Sequence, residues 1–191
     1  MTGPLPKLVE LLAYLDESRA RLLETAHAMN PTFAQIRPRD EEWSAAENLS
    51  HLAAVEKSVL RLIGKAIEES RDGDLGADES AESVLGSLDR FKVASGLPKV
   101  ISPERIAPDP NAPVADSVAA LTATREQLRE VLLECGDLNL SAIKRPHPML
   151  RDLNLYQWVL FVAQHEERHR QQIDATLAAV TERAAESAPI V

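Results

Sequence analysis

The chain has 191 residues, the length of one ordinary domain, and its 21 lysines and arginines against 30 aspartates and glutamates leave a net charge of −9. This acidic balance argues against a broad nucleic-acid-binding surface, because non-specific affinity for phosphates comes from clustered cations. No stretch approaches the roughly 18 consecutive apolar residues of a membrane span, the N-terminus lacks the pattern of a secretion signal, and the single cysteine, Cys135, excludes an internal disulfide. We therefore expect a single cytoplasmic domain over residues 1–191 that binds neither nucleic acid nor membrane.

Two amphipathic helices are predicted in the first third of the chain. Helix one spans about residues 6–30, where apolar residues recur at three- and four-residue spacings. It ends at Asn30-Pro31, because a residue before proline is pushed out of the α region. Helix two begins at Ser44, which forms the pattern of a capping box with Glu47, and its apolar stripe fades at residues 71–73.

The segment 72–112 has a different composition from the helices on either side. It holds four of the seven glycines, and five prolines fall between Pro98 and Pro113. We predict one short helix at about residues 80–91 within an otherwise irregular connection. A connection of this length inside a small domain often has a functional or topological reason.

Two further helices follow that connection. Helix three spans about residues 113–135 and stops before Gly136, a residue type that favours helix ends. Helix four begins at the N-cap Asn154, with Gln157 placed to reach back, and continues to about Arg183. Residues 184–191 are expected to fray.

Four long helices and no convincing strand predict an all-α protein, a four-helix bundle. The 41 residues of the segment 72–112 are enough to run the length of such a bundle. Helices two and three can therefore be parallel, which gives the bundle a long crossover between them.

Two histidines mark the last helix as the place to look for chemistry. His165 and His169 are four residues apart, so both project from a face that otherwise carries apolar residues. Burying two imidazoles is costly unless each has a partner, and a divalent metal such as zinc, nickel or iron would satisfy both. His51 in helix two is the candidate third ligand, and three protein ligands with one open position are typical of catalytic zinc sites. Hydrogen-bonded core histidines are the alternative interpretation.

Two stretches of the chain resemble DinB-like proteins in the order and spacing of their motif residues. The run Trp43–Leu52 has a tryptophan–serine start with a histidine–leucine pair seven residues later. The pair His147-Pro148, then Leu155 and Trp158, and then the run His165–Ile173 are similar to the family's last-helix signature. The resemblance implies a four-helix bundle with an unusual crossover and a divalent metal held by the three histidines named above.

The resemblance also implies an activity. Characterised relatives include S-transferases and isomerases that use a low-molecular-weight bacterial thiol. By this likeness the partners are a small thiol and an electrophile. The bound dication would lower the pKa of the thiol, whose thiolate then attacks an electrophilic carbon. The chain departs from the family where Arg151-Asp152 stands in place of a glycine that often follows the histidine–proline pair.

Two polar residues are predicted to border the site. Gln172 matches the glutamine–isoleucine ending of the family signature, and we expect it to order a ligand or a metal-bound water. A polar bundle residue is the alternative. His147, in the loop before helix four, is expected to line the rim of the pocket, where a small-molecule ligand would bind, and its alternative role is to cap a turn.

Other residues near the histidines are interpreted as structural. Glu56 is five residues after His51 and therefore off that face, so we expect a solvated carboxylate. Glu166 should face solvent or a neighbouring helix. Trp43 and Trp158 are expected to anchor the core, and Cys135 to be a packed small residue.

Three other functions compete with a thiol transferase. The run His165–His169 fits the HExxH pattern of metalloproteases, but Gln172 and Ala175 stand where the longer motif needs glycine and histidine. A di-iron carboxylate centre would use Glu24-x-x-His27, which lies at a helix end. A metal-binding or stress-related bundle without catalysis would use the same three histidines. The helical stripes are compatible with a homodimer but do not indicate which face would be shared.

Overall fold

Four long helices form the bundle, as predicted. The computed structural model describes residues 5–76, 78, 82–96, 102–136 and 138–187. The long helices are α1 (Pro6–Ala28), α3 (Ala45–Ser70), α4 (Val114–Glu134) and α5 (Leu155–Glu186), and a short α2 (Pro31–Ala34) follows α1. Helix α1 packs on α5, and α3 packs on both α4 and α5. Among the described helices, none combines the length and apolarity needed to cross a membrane.

Helices α3 and α4 run in the same direction, although they follow one another along the chain. Leu49 and Leu121, from their N-terminal parts, share one apolar cluster, and Ile63 and Leu132, from their C-terminal parts, share another. The chain therefore has to return from the end of α3 to the other end of the bundle before α4 begins, which is the predicted crossover.

The helix starts follow from capping chemistry. The Ser44 hydroxyl accepts a hydrogen bond from the backbone N–H of Glu47 at 3.1 Å, and the Glu47 carboxylate accepts from the Ser44 N–H at 2.8 Å. Asn154 and Gln157 make the same reciprocal pair at the start of α5. Both predicted caps are confirmed, because each satisfies backbone donors that a helix leaves free.

The C-terminal helix is longer than predicted. Residues 184–186 belong to α5, so the expectation of fraying is wrong for them, and residues 188–191 lie outside the described part of the chain. The guanidinium of Arg183 donates to the carbonyls of Arg37 and Pro38, which ties the last turns of α5 to the loop after α2.

The connection between α3 and α4 contains short 3₁₀ helices. The first spans Leu85–Phe91, inside the predicted helix at 80–91, of which residues 80 and 81 lie outside the described residues. The second spans Glu104–Ile106 and packs on α3.

A β-hairpin precedes α5, and the prediction of no strand is wrong here. Strands β1 (Lys144–His147) and β2 (Arg151–Asn154) pair antiparallel. Four-residue strands are too short to show a clear two-residue period. Arg151 has a φ of 65°, a conformation that favours glycine, and it belongs to the pair Arg151-Asp152 at which the sequence departs from the resemblance. The hairpin docks on α5 through the Trp158 indole, which donates to the Arg145 carbonyl at 3.2 Å.

A layer of buried polar side chains divides the apolar core. A larger cluster lies on one side of this layer and a smaller one on the other. On α1, for example, Leu15 belongs to the larger cluster and Leu22 to the smaller, and the buried Arg19 lies between them. The candidate site lies at this level of the bundle.

Candidate metal centre

The structure brings together the three histidines singled out from the sequence. His51 comes from α3, and His165 and His169 from α5. One ring nitrogen of each lies within 4.8 Å of the others, and the Nε2 atoms of His165 and His169 are 3.2 Å apart. His51 and His169 are buried and His165 is half-buried. The geometry supports a metal site, and the role of these residues as ligands stays a prediction.

Hydrogen bonds determine which nitrogen is free on two of the rings. His51 Nδ1 lies 2.7 Å from the carbonyl oxygen of Ile106. A carbonyl only accepts, so Nδ1 carries the proton and Nε2 keeps its lone pair. His169 Nδ1 lies 2.8 Å from Asn48 Oδ1. The Asn48 amide is oriented by its Nδ2, which donates to the Ser44 carbonyl at 2.9 Å, so its oxygen faces the ring and His169 Nε2 is also unprotonated.

These donors fit a divalent cation. Zinc–imidazole bonds are about 2.0–2.1 Å long, and two such nitrogens at a tetrahedral angle are about 3.4 Å apart. The observed 3.2 Å between the Nε2 atoms of His165 and His169 is close to that value. Second hydrogen bonds from Nδ1 to carbonyl oxygens are also characteristic of metal-binding histidines. Three nitrogens leave at least one coordination position for a water or a substrate atom.

The site keeps its imidazoles neutral. Burial lowers the pKa of His51 from 6.5, and burial followed by nearby positive charge lowers the pKa of His165 and His169 well below 6.5. The charges that act on the last two include Arg168 on the same helix. Neutral imidazole is the form that binds metals, so the site is ready for a cation at pH 7.

Asn48 is the polar residue that orients His169, and sequence reasoning did not assign it that role. We expect Asn48→Leu to weaken metal binding by about 10–100-fold, the usual effect of losing a hydrogen-bond partner behind a ligand. Asn48→Asp keeps the accepting oxygen and should bind metal nearly as well as the parent. Competition against a chelating dye measures both constants. Equal affinity of the leucine variant and the parent would show that Asn48 does not orient a ligand.

Aromatic rings border the histidines on two sides. The Trp43 ring centroid lies 4.8 Å from that of His51 and stacks at 6.1 Å on His169. Phe161 stacks on His165 at 5.1 Å. Trp43 is only half-buried and lies outside both core clusters, so its predicted role as a core anchor is wrong, whereas Trp158 is buried in the larger cluster as predicted.

The crossover segment is attached to α3 beside the site. Besides the Ile106 carbonyl that holds His51, the backbone N–H of Asp109 donates to the Ser50 hydroxyl at 3.0 Å. The connection therefore supplies part of the support for His51 and for the helix that carries it.

His147 caps the hairpin turn. Its Nδ1 accepts hydrogen bonds from the backbone N–H groups of Met149 and Leu150, at 3.1 and 3.2 Å. Its ring lies 4.6 Å from Phe161, which separates it from His165. The turn-capping role is therefore present in the structure, and a direct part in ligand binding stays a prediction.

The stability of the protein should depend on the protonation of His147. Burial lowers the pKa of His147 from 6.5 to about 4, so the unfolded chain binds this proton more tightly than the folded protein. The stability that neutral His147 gives to the folded protein is complete above about pH 6.5 and is lost as the pH falls towards 4. In His147→Asn the amide oxygen can still accept the turn N–H groups, but nothing titrates. We expect urea unfolding of the metal-free variant to change less between pH 7 and 4 than that of the parent, and identical profiles would contradict this.

Gln172 follows His169 by three residues on α5, and Cys135 is the residue after the end of α4. Gln172 is half-buried and makes no hydrogen bond with a described residue, so its role at a ligand stays a prediction. The Cys135 thiol donates to the Leu132 carbonyl at 2.9 Å, and burial raises its pKa. Cys135 is thus a packed residue, as expected, and a poor nucleophile.

Four buried charges, one from each long helix, lie beside the histidines. We call Arg19, Glu56, Arg125 and Glu166 the charge quartet. Each carboxylate is shared by both guanidinium groups: Glu166 lies 2.6 Å from Arg19 and 2.7 Å from Arg125, and Glu56 contacts Arg19 and lies 2.7 Å from Arg125. The expected solvated carboxylate at Glu56 is wrong, since this residue is 3% exposed. Glu166 is predicted to face either solvent or a neighbouring helix, and in the structure it contacts arginines on neighbouring helices.

The charge quartet can be detected in the sequence, although the motifs around the histidines do not include it. Arg19 and Arg125 each occupy a position on an otherwise apolar stripe, Arg125 lying four residues after Leu121 and three before Leu128. A charged residue in such a register is buried and must be paired.

A cavity of about 10 Å³, large enough for about one water, lies between His165 and the quartet carboxylates Glu56 and Glu166.

The charge quartet also bears on the competing functions. In a metalloprotease the glutamate of HExxH is the general base, but here Glu166 is held by two arginines and the Ser18 hydroxyl. For a di-iron centre, Glu24 and His27 are both exposed on α1 and lie outside the histidine cluster. Neither arrangement supports the alternative.

Comparisons with known proteins agree with this architecture. A family model described as the DinB superfamily matches residues 14–173. The chain is 23% identical over 168 residues to the uncharacterized protein YuaE of Bacillus subtilis (strain 168), covering 85% of this chain and 94% of that protein. It also resembles a solved structure, TT2238, a four-helix bundle protein, with a TM-score of 0.58 and 21% identity over 88% of this chain and 98% of the other. This last likeness shows the fold.

Proposed function

The chain belongs to the DinB superfamily, and from that premise we propose that it is a divalent-metal-dependent enzyme that transfers a low-molecular-weight thiol to an electrophilic carbon. The observation that carries the proposal is the convergence of His51, His165 and His169, with the free nitrogen determined by hydrogen bonds on two of the rings. Zinc, nickel and iron all suit three imidazoles.

The protein's own groups prepare the site for this chemistry. The Ile106 carbonyl and the Asn48 amide hold two rings, so that little reorganisation is needed when a cation and a thiol bind. A bound dication would lower the pKa of a thiol so that its thiolate predominates near neutral pH. The sulfur of that thiolate would then form a bond to the electrophilic carbon while the leaving group departs, and the thiol proton would be released to solvent.

The aromatic rings support a small organic substrate. Trp43 and Phe161 offer flat apolar surfaces next to the histidines and limit the access of water on those sides. Both substrates are small molecules in this proposal, consistent with a site built from side chains at one level of a narrow bundle.

Turnover distinguishes an enzyme from a metal-binding bundle without catalysis. Metal-free protein is loaded with zinc, nickel or iron(II), and the loss of free thiol is followed for several small thiols with an alkylating electrophile. We expect consumption above the uncatalysed rate, its loss on adding a chelator, and its absence in His169→Ala. Stoichiometric metal with only the uncatalysed rate for every pair would favour the non-catalytic bundle.

A further inference from the structure

Arg168 is a half-buried cation that has no partner among the described residues. It makes no hydrogen bond or ion pair with any residue that the structure describes, although it is on the same helix as the histidines. Arg170, two residues later, pairs with Glu167 and Asp174. The Arg168 guanidinium is not among the buried groups without a partner, so it reaches solvent and is available to an acceptor from outside the chain.

Arg168 lies on one flank of the histidine face of α5. At 100° per residue, Arg168 is about 60° around the helix from His165 and about 100° from His169. Arg168 is three residues after His165 on α5, and side chains at this spacing are neighbours on a helix surface, so it lies close to the site. One turn earlier on the same flank is Gln164, and two turns earlier is Phe161, whose ring stacks on His165.

Gln164 is a second polar group on this flank, and its amide forms no hydrogen bond with the described residues. The residue is 8% exposed, and its amide atoms are not among the buried atoms without a partner, so they reach solvent. The amide is therefore available to a ligand. Two unpartnered donors one turn apart, next to the candidate metal ligands, indicate a place where an acceptor from outside the chain binds.

We propose that Arg168 and Gln164 form an anion subsite that binds a carboxylate of the small thiol, and this inference rests on the function proposed above. A guanidinium offers two parallel N–H groups that match a carboxylate, and the Gln164 amide adds a further donor. The position of Arg168 beside His165 requires a carboxylate only a few bonds from the sulfur. In a chain of net charge −9, a local cation also offsets the general repulsion of an anionic thiol.

Matched thiols test the subsite in the metal-loaded protein. Mercaptopropionate and mercaptopropanol have the same length and differ in a carboxylate against a hydroxyl. Each is titrated into cobalt(II)-loaded protein, and binding is followed by the visible absorption of the ion. We expect the parent to bind mercaptopropionate roughly 10-fold or more tightly than mercaptopropanol, the usual range for a hydrogen bond to a charged group.

Variants separate the subsite from other sources of preference. Arg168→Gln should bind the two thiols equally with unchanged metal content, and Arg168→Lys should restore part of the preference. Arg61→Gln removes the same charge from an exposed position about 15 Å along α3 from His51 and should behave as the parent. A preference that persists in Arg168→Gln, or is absent in the parent, overturns the subsite but leaves the proposed function. Failure of both thiols to change the spectrum overturns both.

Discussion

Alanine in place of either His51 or His169 is expected to abolish stoichiometric metal binding. The two residues come from different helices, so each single variant leaves two imidazoles and breaks the cluster. Because chelation by three rigidly held ligands is lost, the effect should exceed the 10–100-fold expected for Asn48→Leu. We expect about one metal ion per chain in the parent and less than about 0.1 in each variant.

Elemental mass spectrometry on untagged protein measures this, because an affinity tag would add histidines of its own. His27→Ala is the matched control, since His27 is exposed on α1 and lies outside the cluster. The metal-free variants should be folded, because removing a buried imidazole removes a polar group that is costly to bury. Full metal content in either His51→Ala or His169→Ala would overturn the three-histidine site.

Glu56→Leu is expected to lower the free energy of unfolding by about 3–5 kcal/mol, the usual cost of removing one partner from a buried ion pair. Glu56 is contacted by Arg19 and Arg125, and all three side chains are at most 8% exposed. The loss of this carboxylate leaves two buried guanidinium groups to share Glu166.

A double variant tests whether unpaired charge is the cause. Glu56→Leu with Arg125→Met removes one charge of each sign and leaves Arg19 and Glu166 paired at 2.6 Å, so it should be less destabilised than Glu56→Leu alone. The control is Arg129→Met, at a position one helical turn after Arg125. It breaks an exposed ion pair with Asp16 and should lower the free energy of unfolding by at most about 1 kcal/mol. Urea unfolding measures all three. A double variant less stable than Glu56→Leu would contradict this explanation.

The charge quartet explains how the helices are held in the axial register that brings the three histidines together. Each long helix contributes one charge to it, so sliding any helix by a turn would leave buried charges unpaired. Glu166 directly follows His165 in α5. The contacts that hold the Glu166 carboxylate therefore also hold α5 at the height where His165 and His169 meet His51.

Local features of the sequence determined the helices and the shared face of two of the three candidate ligands. Capping pairs such as Ser44 with Glu47 act over three residues, and apolar stripes repeat every three or four, so both can be read from neighbouring letters. The same reasoning placed His165 and His169 on one face. His51 is a candidate third ligand from its place in helix two, and the family resemblance includes it, but no local pattern shows which helices meet.

Only the tertiary structure decided which residues from other parts of the chain contact the buried face of each helix. Asn48 meets His169 over 121 residues of chain, the Ile106 carbonyl meets His51 over 55, and Glu56 meets Arg125 over 69. Periodicity identifies the side of a helix that is buried, but it does not identify its partner or whether a polar group there is solvated. The sequence therefore predicts Glu56 in water and Trp43 in the core, and both predictions are wrong because the choice depends on packing between helices that are remote in sequence.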